Sequence, residues 1–118
     1  MTKQEYKDIY DVVGTAMEVY NTLGRGMSEL IYQEALMEKT FYADFMYKDI
    51  IIELKSADSI CSDHRAQLFN YMRITKKYRG LLLNFGEKKL RAERYLYLPE
   101  DDNFILLTQE NYMHYITD

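Results

Sequence analysis

Little in this chain can cross-link it or punctuate it. A single cysteine, Cys61, excludes an internal disulfide, and with only His64 and His114 beside it no zinc cluster of ordinary ligand spacing can be assembled. Any metal would have to be held by oxygen. Proline occurs once, at Pro99, and there is neither an internal repeat nor a low-complexity linker, so 118 residues are expected to form one domain. Pro99 is expected to divide a core over residues 1–98 from a C-terminal extension, 99–118, packing on the same domain. No long uninterrupted apolar run is present. The opening MTKQEYKDIYDVVGTAMEV is amphipathic and broken by Glu5, Asp8 and Asp11, which suits neither a signal peptide nor a membrane span. A cytoplasmic protein without a membrane partner is the resulting expectation.

What is there is charge, unevenly placed. The net charge of −4 hides segments of −3 over residues 1–40, −3 over 41–63, +7 over 64–94 and −5 over 95–118. A basic block of that kind can be an electrostatic footprint for phosphate, as readily as a solvated lysine-rich surface.

Ile9, Val12, Val13, Ala16, Val19, Tyr20 and Leu23 recur at helical spacing, and Gly24-Arg25-Gly26 stops the pattern. Ser28 suits the cap of a second helix reaching about Lys39, with Ile31, Ala35 and a Leu30/Met37 flank expected to face inward and Glu29 in its first turn. Phe41–Tyr47 and Ile50–Lys55 read as strands joined at Lys48-Asp49. A two-residue loop there pairs residues whose numbers sum to 97, placing Asp44 opposite Glu53 and Tyr42 opposite Lys55, although the turn lacks the favoured Asn-Gly and a slip of one position is open. Ser62 is expected to cap a third helix, Asp63 to about Lys77, carrying His64, Gln67 and Tyr71 on one side and Leu68 and Met72 on another. Leu81–Phe85 and Arg91–Leu98 read as strands, Phe104–Thr108 as an edge strand and Glu110–Ile116 as a short final helix.

The stretch IIIELK raises a chemical question, because the most core-like segment closes on Glu53 and Lys55. Two carboxylates directly opposite on one sheet face, about 4.5–5.5 Å apart, repel. A hard divalent cation between them reverses the sign, and period two sets Lys55 on the face of Glu53 with Leu54 on the other. Such a set suits metal ligands followed by an ammonium that orients or deprotonates an attacking water. The plainer alternative is a strand end entering water, with Asp44 paired to Lys55.

Gly26-Met27-Ser28-Glu29-Leu30-Ile31-Tyr32, the following QEAL, YADF around Asp44, IIELK, HRAQLFNY and GLLLNFG occur in an order that resembles the GxxExxY family, within the PD-(D/E)XK nuclease-like superfamily, over roughly residues 8–95. The resemblance implies an α/β, restriction-endonuclease-like core, a central mixed sheet flanked by helices. It implies Mg²⁺ or Mn²⁺ bound by Asp44 and Glu53, with Lys55 assisting water attack on a phosphodiester. It also makes Gln67 and Tyr71 a Q-x3-Y pair beside the site, and Glu29 an added helix-borne acid. The independent spacing agrees in placing Gln67 and Tyr71 on one helix side. Arg65, Arg73, Lys76 and Lys77, with Tyr71, are the expected contacts to nucleic acid.

The chain departs from the family in two places. A strand-forming stretch that usually lies between the QEAL helix and the YADF strand is missing, so the first core strand reads as deleted, and Tyr20 stands where histidine is usual. Deletion would expose a sheet edge, to be covered by the tail strand or by a second copy of the chain in a homodimer. The alternative function is therefore a catalytically inactive nuclease-fold module that binds nucleic acid or a protein partner.

Overall fold

The computed structural model describes residues 1–40 and 46–118; residues 41–45, and with them Asp44, Tyr42 and most of the predicted Phe41–Tyr47 strand, lie outside the described residues. The architecture is α/β. Three helices, α1 (Lys3–Leu23), α2 (Glu29–Thr40) and α3 (Ser62–Thr75), flank one sheet of β1 (Met46–Tyr47), β2 (Ile50–Lys55), β3 (Arg79–Asn84), β4 (Arg91–Leu98) and β5 (Asn103–Leu107), in spatial order β1-β2-β3-β4-β5. The sheet is mixed: β2 and β3 run parallel across the α3 crossover, and the other neighbours are antiparallel. None of the helices is long and apolar enough to cross a membrane, among the described residues.

Helix α1 starts where the sequence allows two reciprocal caps. The Thr2 hydroxyl accepts from the Glu5 N–H at 3.0 Å, while the Glu5 carboxylate accepts from the Thr2 N–H at 2.8 Å. It ends at Gly24, whose φ of 75° suits a residue without Cβ. Its Ile9, Val12, Ala16 and Val19 are sealed against Ile50, Ile52, Leu54, Leu81, Leu83 and Phe85. The opposite sheet face, under α3, holds Ile51, Leu82 and Tyr95 against Leu68 and Met72. Period two along β2 thus divides its residues between two cores. Each fully buried leucine or isoleucine contributes about 1.5–3 kcal/mol.

The hairpin register is the predicted one where β1 and β2 pair: Met46 faces Ile51 and Tyr47 faces Ile50. Lys48 and Asp49 accept φ values of 47° and 66°, the left-handed pair that a two-residue hairpin needs, so no slip occurs despite the missing Asn-Gly. The turn is held from below. Lys48 Nζ lies 3.5 Å from the buried Asp8 carboxylate, and buried Arg79 donates to the carbonyls of Lys48 and Glu5.

Several expectations need correction. In α2 the sealed side chains are Tyr32 and Leu36, and Leu30, Ile31 and Met37 are exposed, because Tyr32 stacks on Phe85 at 4.2 Å and fixes the helix rotation. Helix α3 is capped at Cys61 rather than Ser62 and ends at Thr75, with Lys76 in the left-handed conformation. The tail strand lies beside β4, at the edge farthest from β1, so it does not cover the edge next to the Asp44 hairpin. The final segment is a single 3-10 turn, Tyr112–Tyr115, stacked through Tyr112 on Tyr6 at 4.4 Å.

Candidate functional site

Strand β2 enters the sheet as core and leaves it as chemistry. Ile51, Glu53 and Lys55 point towards α3, and the last two keep only 15% and 14% of their side chains exposed. Lys55 Nζ donates to Gln67 Oε1 at 2.7 Å and lies 3.5 Å from Glu53 Oε1. Two of the ammonium's three donors are thereby directed, one strongly and one weakly, and a third remains for a further acceptor. Gln67 reaches the strand because α3 buries Leu68 and Met72, which turns the adjacent Gln67 side towards the end of β2.

Burial pushes the Glu53 carboxyl above the ordinary carboxylate range. Lys55 opposes the shift, the Glu29 carboxylate adds to it by repulsion, and His64 opposes it weakly. Glu29, Gln33, Met46, Glu53, Tyr71 and Thr75 all line one cavity of about 410 Å³ between α2, β1, β2 and α3. Glu29 is brought there by the loop after α1. Gly26 N–H donates to the Phe85 carbonyl at 3.1 Å, and the Tyr32 hydroxyl donates to Gly24 O at 2.6 Å while accepting from Met27 N–H at 3.1 Å.

Of the sequence-predicted site residues, Lys55 meets both Glu53 and Gln67, Glu29 and Tyr71 line the cavity that Glu53 lines, and Asp44 lies outside the described residues. The basic residues are mostly engaged elsewhere. Arg65 forms a bidentate pair with Glu93 at 2.8 and 2.9 Å, Arg73 a bidentate pair with Asp102 at 2.9 and 3.2 Å, and Lys77 lies 3.0 Å from Asp49. Lys76 is exposed, with no ion pair among the described residues.

Two roles escaped the sequence. His64 accepts the Cys61 N–H through Nδ1 at 3.2 Å, closing the start of α3; a histidine at the third helical position was the available signal. Asn84, paired with Lys55 in the sheet, is fully buried and uses its whole amide. It donates to Ala57 O at 2.9 Å and Glu87 Oε2 at 2.7 Å, and accepts from Ala57 N–H at 2.9 Å and Gly86 N–H at 3.1 Å. A polar residue closing the run Leu81–Leu83 was its signal. Gly86 makes the approach feasible, since a Cβ there would stand 2.2 Å from the Ala57 carbonyl oxygen.

The donor set suits a hard divalent cation. A desolvated Glu53 carboxylate shares its cavity with a second carboxylate, and oxygen ligands of that kind hold Mg²⁺ or Mn²⁺. No group of three His, Cys, Asp or Glu side chains is close enough to hold a metal by itself among the described residues.

The family model of the PD-(D/E)XK nuclease superfamily matches residues 6–41 and 36–95 of the chain, two stretches that overlap where the missing strand was expected. No curated protein and no solved structure matches the chain.

Proposed function

The chain belongs to the PD-(D/E)XK nuclease superfamily, and from that premise we propose that it is a metal-dependent phosphodiesterase of the GxxExxY branch, acting on DNA or RNA. The observation that carries the reading is the convergence of Glu53, Lys55 and Gln67 at one end of β2.

Glu53 and Glu29, with Asp44, would hold Mg²⁺ or Mn²⁺, which when bound supplies charge for the phosphoryl oxygens and acidity for a water. Lys55 has the part for which its surroundings prepare it. Its ammonium is fixed by Gln67 and Glu53, so its remaining donor can meet a phosphate oxygen or the attacking water without first being ordered. Gln67 is a positioning residue, since it acts through Lys55. Tyr71, half exposed beside the same cavity, offers a ring face to a nucleobase. Arg65, Arg73 and Lys77 could contact phosphate only by exchanging a carboxylate partner for it, which leaves Lys76 as the uncommitted cation of that group. A cytoplasmic location and a homodimer closing the β1 edge complete the proposal.

The test is a thermal melt with and without Mg²⁺ or Mn²⁺, combined with cleavage of plasmid DNA and single-stranded RNA. Metal at about 100 times its dissociation constant should add about 2.7 kcal/mol of stability, and Glu53→Gln should remove that gain. Lys55→Met should lower cleavage roughly 10²–10⁴-fold. Cleavage unchanged by both substitutions sinks the reading, and a melt unmoved by either metal favours the inactive binding module.

A further inference from the structure

Glu29 enters the cavity it shares with Glu53 from the first turn of α2. It is an exposed residue, and its carboxylate has no hydrogen bond or ion pair among the described residues. It also repels the Glu53 carboxylate. Its place is therefore set by its backbone, and so by the loop 24–28 that delivers it.

Exposed loops are ordinarily among the more mobile parts of a fold. This one is pinned along its length. Gly26, at φ 82°, turns so that its N–H donates to the Phe85 carbonyl, and the Ser56 hydroxyl donates to the Met27 carbonyl at 2.5 Å. Phe85 and Ser56 directly follow Asn84 and Lys55, which pair across the parallel strands, and Phe85 N–H donates to Lys55 O at 2.8 Å. The loop thus rests on the ends of β2 and β3, one residue beyond the amine of the site. From the other side the buried Tyr32 hydroxyl donates to Gly24 O at 2.6 Å and accepts the Met27 N–H at 3.1 Å. The Tyr32 ring needs no hydroxyl to stack on Phe85, so that oxygen serves the loop.

We propose that Ser56 and Tyr32 are positioning residues for a divalent cation, their hydroxyls bracing the loop so that the Glu29 carboxylate already stands in the Glu53 cavity when the ion arrives. This role rests on the reading of Glu29 and Glu53 as metal ligands. Two like charges that are not held near each other drift apart, and the ion then spends part of its binding free energy on ordering them. The brace removes that cost beforehand. Both hydroxyls are committed to backbone groups of the loop, so each acts through Glu29 rather than on the ion. Groups one step removed from a metal ligand typically change metal affinity by about 10–100-fold.

The experiment titrates Mn²⁺ into the full chain and counts the free ion by electron paramagnetic resonance, at a temperature where every variant is folded. Ser56→Ala and Tyr32→Phe should each weaken Mn²⁺ binding about tenfold or more, and Ser56→Thr, which keeps the hydroxyl, should retain the wild-type affinity. In a Glu29→Gln background, where the braced carboxylate is gone, Ser56→Ala should change the affinity by less than about twofold. Thr2→Ala removes the α1 cap and lies outside the cavity lining, so it should lower the melting temperature and leave Mn²⁺ affinity unchanged. A wild type that binds no Mn²⁺ overturns the metal reading and the brace with it. A wild type that binds, with Ser56→Ala and Tyr32→Phe binding equally well, overturns the brace alone. The brace also falls if the Ser56→Ala loss persists in full without Glu29, or if Thr2→Ala weakens the ion as much as Ser56→Ala does.

Discussion

Glu53 is a carboxyl group that the fold holds against desolvation. Its folded carboxyl titrates above the ordinary value of 4.5 because burial outweighs Lys55. The folded state therefore binds its proton more tightly than the unfolded chain. The resulting stability is complete below the ordinary value and is lost as pH rises through the folded one. Glu53→Gln should accordingly melt higher than the wild type at pH 7 in the absence of metal, with the difference vanishing below about pH 4. Equal melting temperatures at pH 7 would remove the desolvation argument. Glu93 shows the opposite sign, held below the usual range by Arg65, and its contribution is lost on acidification. At this scale, the shared face of Glu53 and Lys55 was legible from the strand period and the shared side of Gln67 and Tyr71 from the helix period, whereas the meeting of Gln67 with Lys55 was implied only by the family resemblance. The commitments of Arg65, Arg73 and Lys77 were not, because a free and a satisfied cation read identically along a chain and their partners lie 28 or 29 residues away.

Glycines separate the elements by what stands over them. Gly14, inside α1, has nothing within 4 Å of the point where a methyl group would stand, so Gly14→Ala should stabilise by about 0.5–1 kcal/mol. A Cβ on Gly86 would stand 2.2–2.6 Å from the Ala57 backbone, which cannot step aside. Gly86→Ala should destabilise by at least the roughly 1–3 kcal/mol typical of overpacking, and should displace the chain that follows Lys55, lowering cleavage with stability. Urea titration of both variants checks the contrast. The element order and most boundaries were legible, since the apolar periods and the glycine stops are strong. The rotation of α2 was not, because its apolar residues, Leu30, Ile31, Tyr32, Ala35, Leu36 and Met37, go all the way round the helix and leave no stripe to read. The stacking of Tyr32 on Phe85 decides it, and that contact joins residues 53 positions apart.

For the molecule as a whole, the sheet begins at β1, outside which no strand pairs among the described residues, and the exposed apolar side chains include Leu30 and Ile31 on α2, Met46 on β1 itself and Ile74 on α3. Light scattering should find a dimer at micromolar concentration, and Ile31→Glu should return it to a monomer without loss of secondary structure; a wild-type monomer at about 100 μM would sink the pairing. The missing strand led to the expectation of an edge at the hairpin, and β1 ends the sheet among the described residues; which end the tail would take was not legible, because β5 follows β4 by a short turn and simply continues the meander. The single parallel pair has an effect on assembly order. β3, β4 and β5 can zip up from neighbouring segments, whereas β2 can join them only once the α3 crossover has been laid down, and the same docking carries Gln67 to Lys55. A partly refolded chain can therefore hold β3, β4 and β5 together before Glu53, Lys55 and Gln67 have met, so that their convergence waits on the parallel pairing of β2 with β3.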